Sequence, residues 1–124
     1  MTTDWAHLPN APHIDRVIAI ANVSPHCRAV GWDKEWWAAP RDAAWSKAWN
    51  TVQDAGRSAE YKAAWLEAWY FARNAIVALI AYDDCAYMLD SDPGELAILA
   101  AFGDHRAVLI LPACEILHSL KEIA

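Results

Sequence analysis

One heptapeptide pattern occurs twice in the chain, and it restricts the fold more than any other feature. Ala43-Ala44-Trp45-Ser46-Lys47-Ala48-Trp49 is matched by Ala63-Ala64-Trp65-Leu66-Glu67-Ala68-Trp69 at an offset of 20 residues. Each copy places two indoles four positions apart, on one helix face. Gly56 lies between the copies and stops a helix in the usual position after its last turn. The pattern therefore predicts two helices joined by a tight turn and meeting through Trp45 or Trp49 and Trp65 or Trp69. Two copies are too few for a solenoid, which needs at least three stacked units.

The rest of the chain agrees with a helical reading. Among 124 residues there are only four glycines, and 56% of the chain is hydrophobic. Alanine is abundant and loses no side-chain entropy in a helix, whereas glycine would loosen one. A chain of this length is expected to form one domain, residues 1–124, with an irregular arm over 1–10. Pro12 opens a short helix whose Ile14, Val17, Ile18 and Ala21 share a face, and Ser24-Pro25 ends it. Pro40 is expected to start a helix that runs to about Ala55. Ser58 then caps a long central helix over 58–83. Asp92-Pro93-Gly94-Glu95 is a strong helix start, with Asp92 as cap and Pro93 in the first turn. Gly103 stops that helix and Asp104 caps the last one, which Pro112 should kink. The expected architecture is all-α, a single compact bundle of about five helices.

Charge is segregated. Residues 1–82 hold eight acids and eight bases, whereas residues 83–124 hold eight acids and two bases, so the formal net charge of −6 comes from the last third. All eight tryptophans lie in the first 69 residues. The negative balance argues against binding a nucleic-acid backbone directly. No apolar stretch is long enough to span a bilayer, and the first ten residues carry neither the basic nor the apolar region of a signal peptide. Three cysteines (Cys27, Cys85 and Cys114) have no paired spacing, which fits a reduced, cytoplasmic setting.

Four constellations could carry chemistry. The indoles Trp45, Trp49, Trp65 and Trp69 supply core area. They could equally wall a pocket, because indole faces stack on planar rings and attract cations. Arg41 and Arg73 lie on or beside the same helices, where a guanidinium either covers apolar surface or forks onto a phosphate. The adjacent carboxylates Asp83 and Asp84 could act as acid and base, but no further ligand for a metal stands at a recognisable spacing. The histidines and cysteines show no CxxC, HxxxH or HExxH pattern, and there is no glycine-rich phosphate loop and no GxSxG. No metal and no cofactor is therefore expected.

The segment Ala81-Tyr82-Asp83-Asp84-Cys85-Ala86-Tyr87-Met88-Leu89-Asp90, together with Ala107-Val108-Leu109-Ile110-Leu111-Pro112-Ala113 and the upstream Ala/Trp/Arg-rich helices, resembles small accessory proteins of phage genomes. The likeness covers about residues 43–113. It brings no residue roles with it. It implies a phage or prophage product acting in the host cytosol, where such proteins counter host defence by blocking a protein or sequestering a signalling nucleotide.

Three functions follow as expectations. The first is a non-enzymatic binding protein, an anti-defence factor that holds a small anionic, nucleotide-like ligand between Trp45, Trp49, Trp65, Trp69, Arg41 and Arg73. The second is an acidic protein-interaction module that blocks a host protein, as an inhibitor or nucleic-acid mimic would. The third is a small enzyme using Asp83, Asp84 or a histidine. A homo-oligomer is compatible with all three.

Overall fold

Helix signals at the sequence level become six α-helices and one 3₁₀ segment in a computed structural model that describes residues 4–23, 35–67 and 71–123. The helices are α1 (Ala11–Val23), α2 (Glu35–Asp54), α3 (Ser58–Glu67), α4 (Phe71–Ala81), α5 (Pro93–Ala101) and α6 (His105–Ile123), with the 3₁₀ segment Ala86–Asp90 between α4 and α5. No strand occurs among the described residues. The all-α expectation holds among the described residues, which contain six helices where about five were expected.

Two expected boundaries are corrected. In place of one long helix over 58–83 stand α3 and α4, and the chain between them lies outside the described residues. The apolar periodicity runs through both helices without a phase change, so spacing alone could not divide them. Pro40 does not start α2 but sits inside it, since α2 begins at Glu35. As the sixth residue of α2, Pro40 has no N–H to donate to the turn before it, and the helix continues past it to Asp54.

Several ends follow their sequence signals atom by atom. At the α2–α3 turn Gly56 has φ 70°, its N–H donates to the Gln53 carbonyl at 3.0 Å, and the Arg57 N–H donates to Val52 at 2.9 Å. This crossed pair is the left-handed glycine cap that stops a helix and satisfies its last carbonyls. Gly103, φ 88°, does the same after α5. The Asp92 carboxylate accepts from the Glu95 N–H at 3.1 Å, and the Asp104 carboxylate accepts from Arg106 N–H at 3.0 Å and Ala107 N–H at 3.3 Å.

The core forms around α4 and α6. Residues 74–81 of α4 and 107–114 of α6 are buried without interruption. A helix that is apolar on every side has no solvent face and must run through the middle of a fold. Accordingly α6 packs on α2, α4, α5 and the 3₁₀ segment, while α1, α2 and α3 pack around α4. Pro112 lies within α6, which continues beyond it to Ile123.

A central helix leaves its last carbonyls far from water, and side chains from elsewhere meet them. Asn10 Nδ2 donates to the Leu79 carbonyl at 2.9 Å and to the Tyr82 carbonyl at 2.8 Å. Arg57 Nη1 donates to Ile80 at 2.9 Å, and Cys85 Sγ lies 3.4 Å from the Ala78 carbonyl. The N-terminal arm is therefore a docked part of the fold. Its Trp5 and Leu8 are buried, and Trp5 Nε1 donates to Asp15 at 2.8 Å.

Candidate functional site

The α2–α3 turn brings Trp45 and Trp49 of α2 against Trp65 and Tyr61 of α3, in opposite order along the chain. Trp45 meets Trp65 edge to face, with ring centroids 4.7 Å apart. Trp49 meets Tyr61 at 5.0 Å, and Tyr61 also touches Trp45 and Trp65. Edge-to-face geometry sets the positive rim of one ring against the negative face of the next. These rings are half-buried against a floor of buried Ala44, Ala48, Val52 and Ala64. The small alanines let the helices approach closely and push the aromatic rings outward.

At the outer end of this cluster is a cleft of about 340 Å³ lined by Arg41, Asp42, Trp45, Trp65, Arg73 and Asn74. Of the six residues singled out in the sequence, Trp45, Trp65, Arg41 and Arg73 meet here. Trp49 packs on Tyr61 behind the cleft wall, and Trp69 lies outside the described residues. Asp42 and Asn74 were not anticipated. For Asn74 a signal existed: it is a polar residue at the head of the apolar run Ala75–Ala81, and it is 1% exposed.

Arg73 dominates the cleft. Its guanidinium carbon lies 4.0 Å from the Trp65 ring centroid and 5.6 Å from that of Trp45. Indole faces attract and flatten against a guanidinium in this way. No carboxylate pairs with Arg73 among the described residues, and its Nε is buried without a hydrogen-bond partner. Burial lowers its pKa from the ordinary arginine value, Tyr61 opposes the shift, and the nearby Arg41 adds to it. An arginine still stays protonated, so the result is a partly desolvated positive charge held against indole faces. Arg41 contributes a second cation, with its Nε 3.3 Å from the largely exposed Asp42.

Asn74 is tied to the aromatic wall. Its Oδ1 accepts from Trp45 Nε1, while its buried Nδ2 has no partner. Buried polar atoms are nearly always hydrogen-bonded, so two orphaned donors in one cleft are unusual.

Comparison with known protein families, characterised proteins and solved structures finds no match. The site therefore rests on its own geometry.

The other candidate chemistry is arranged differently. Asp83 takes a two-pronged contact from Arg57, at 2.5 and 3.1 Å, and this bond holds its carboxyl below the usual range. Asp84 turns to Arg106 at 3.3 Å. Adjacent in sequence, the two acids thus serve different arginines. No group of three potential metal ligands occurs among the described residues. A second cleft of about 420 Å³ lies at the start of α6, lined by Lys47, Tyr82, Asp84, Gly103, Asp104, His105 and Arg106. Its charges largely pair with one another, as in Arg106 with Asp104 and Asp84.

The acidic third carries an exposed apolar face. On α5, Leu96 and Ala100 are buried, whereas Ile98, Leu99 and Phe102 are 57, 41 and 87% exposed. With Glu95 these residues fall at 3, 4 and 7 spacing, a single outward stripe. No helix among the described residues is long and apolar enough to cross a membrane.

Proposed function

We propose that this chain is a non-enzymatic binding protein that captures a small anionic ligand carrying a planar ring, such as a nucleotide, in the Arg41–Trp45–Trp65–Arg73–Asn74 cleft. The observation that carries this reading is Arg73: a cation stacked on indole, partly desolvated, and without a carboxylate among the described residues. A charge kept in that condition costs stability unless something anionic complements it. The guanidinium lies over Trp65, so the same cation can take the ligand's anionic group while its ring stacks on the aromatic wall. In the phage setting implied by the resemblance, capture of a signalling nucleotide would make the protein an anti-defence factor. Titration of cyclic and linear nucleotides, followed by tryptophan fluorescence, tests the reading. Saturable quenching supports it, and an unchanged spectrum up to about millimolar ligand, roughly −4 kcal/mol of binding, rejects it.

A second reading is favoured by the α5 stripe. Exposed Ile98, Leu99 and Phe102 within the acidic third suit a protein-interaction module that covers a basic-rimmed surface of a host protein. Phe102→Ser should abolish such an interaction while leaving nucleotide quenching untouched.

A further inference from the structure

The orphaned atoms of the cleft share one property: they are donors. An indole N–H can donate but not accept, so the amide of Asn74 must turn its oxygen toward Trp45. That contact fixes the amide and leaves the two hydrogens of Nδ2 unmatched. Arg73 Nε, on the neighbouring residue, is likewise buried and unmatched. Asn74 is itself 1% exposed and lines the cleft. Arginine offers no acceptor of its own.

From these two unmatched donors we infer that Asn74 Nδ2 and Arg73 Nε form an oxyanion subsite, one that takes the phosphoryl or carboxylate group of the ligand rather than its ring. The inference rests on the ligand-binding reading above and sharpens it. Oxyanions carry lone pairs and no hydrogens, so they satisfy both donors at once, whereas a ring edge with mixed donors and acceptors would leave one unmet. Trp45 then acts as a positioning residue. It touches the ligand's partner, and its N–H prevents the amide from flipping. The aromatic wall thus orients a polar group, with stacking as a secondary effect.

Matched ligands separate the possibilities. The full chain is titrated calorimetrically with adenosine 5′-monophosphate, adenosine, orthophosphate and benzoate. The subsite predicts saturable binding of the monophosphate, and adenosine at least about tenfold weaker, the scale of one charge-assisted hydrogen bond. Orthophosphate and benzoate distinguish a phosphoryl from a carboxylate preference, and saturation by either supports the subsite. Asn74→Asp keeps an acceptor for Trp45 and replaces the donor by a negative charge, so anion affinity should fall at least tenfold. Trp45→Phe removes the N–H that fixes the amide, and it serves as the second variant if the first does not fold. It should weaken anion binding severalfold, and by a larger factor than it weakens any adenosine binding. Adenosine binding as tightly as its monophosphate, or anion affinity unchanged in both variants, overturns the subsite while the ligand-binding reading stands. Failure of every anion and of adenosine to bind overturns both.

Discussion

The guanidinium of Arg73 rests 4.0 Å from the ring centroid of Trp65, and the ring of Trp45 meets that same indole edge to face at 4.7 Å. Trp65 is therefore both a wall of the core and the seat of the cleft's charge. Replacing it with alanine removes a half-buried aromatic and uncovers Arg73. We expect a loss of about 2–3 kcal/mol in a denaturant melt, below the 3–5 typical of a fully buried Trp. A loss under about 0.5 kcal/mol would place this indole outside the packing scheme.

Asn10 joins the arm to the central helix by two hydrogen bonds across 69 and 72 residues of sequence. Asn10→Ala leaves the Leu79 carbonyl in the interior without that donor. An unmet buried acceptor costs about 1–3 kcal/mol, so urea midpoints should fall accordingly. Asn10→Asp should be at least as damaging, because a carboxylate would face two carbonyl oxygens. An unaltered midpoint in both variants would show that the arm is not anchored there.

Cys85 is fully buried, and burial pushes its thiol up to about 12. Only the thiolate attacks an alkylating reagent, so Cys85 should resist iodoacetamide at pH 8 in the native protein and react once urea unfolds it. The sign of the linkage follows. The unfolded thiol loses its proton near 8.5 and the folded one near 12, so the unfolded state binds fewer protons in between. This contribution is fully present below about pH 8.5 and is lost as pH rises toward 12. Peptide mapping by mass spectrometry reads Cys85 separately from the other cysteines. Native labelling at pH 8 as fast as in urea would contradict the burial.

Much of this architecture was legible because the signals are local. Asp92, Asp104, Gly56 and Gly103 act within one helical turn, and each does what its residue type requires. The repeated indole pair was legible for the same reason, since four-residue spacing fixes a helix face. What the sequence did not disclose depends on distant partners. Nothing near Asn10 announces the ends of α4, and nothing near Asn74 announces Trp45, 29 positions earlier. The division between α3 and α4 was hidden because both helices continue one apolar period. Arg73 stood out only as a base on or beside the Trp helices, yet in the structure it stacks on Trp65, eight positions earlier, a contact that helical spacing alone does not give.

The most direct measurement compares calorimetric titrations of the native chain and of Arg73→Gln with the same panel of cyclic and linear nucleotides. Glutamine keeps some of the stem and a donor but removes the charge and the stacked plane. The account predicts saturable heat for at least one anionic ligand with the native chain, and affinity at least about tenfold weaker in the variant, with melting temperatures within a few degrees of each other. Absence of saturable heat up to about millimolar ligand, or equal affinity in the two proteins, would contradict it.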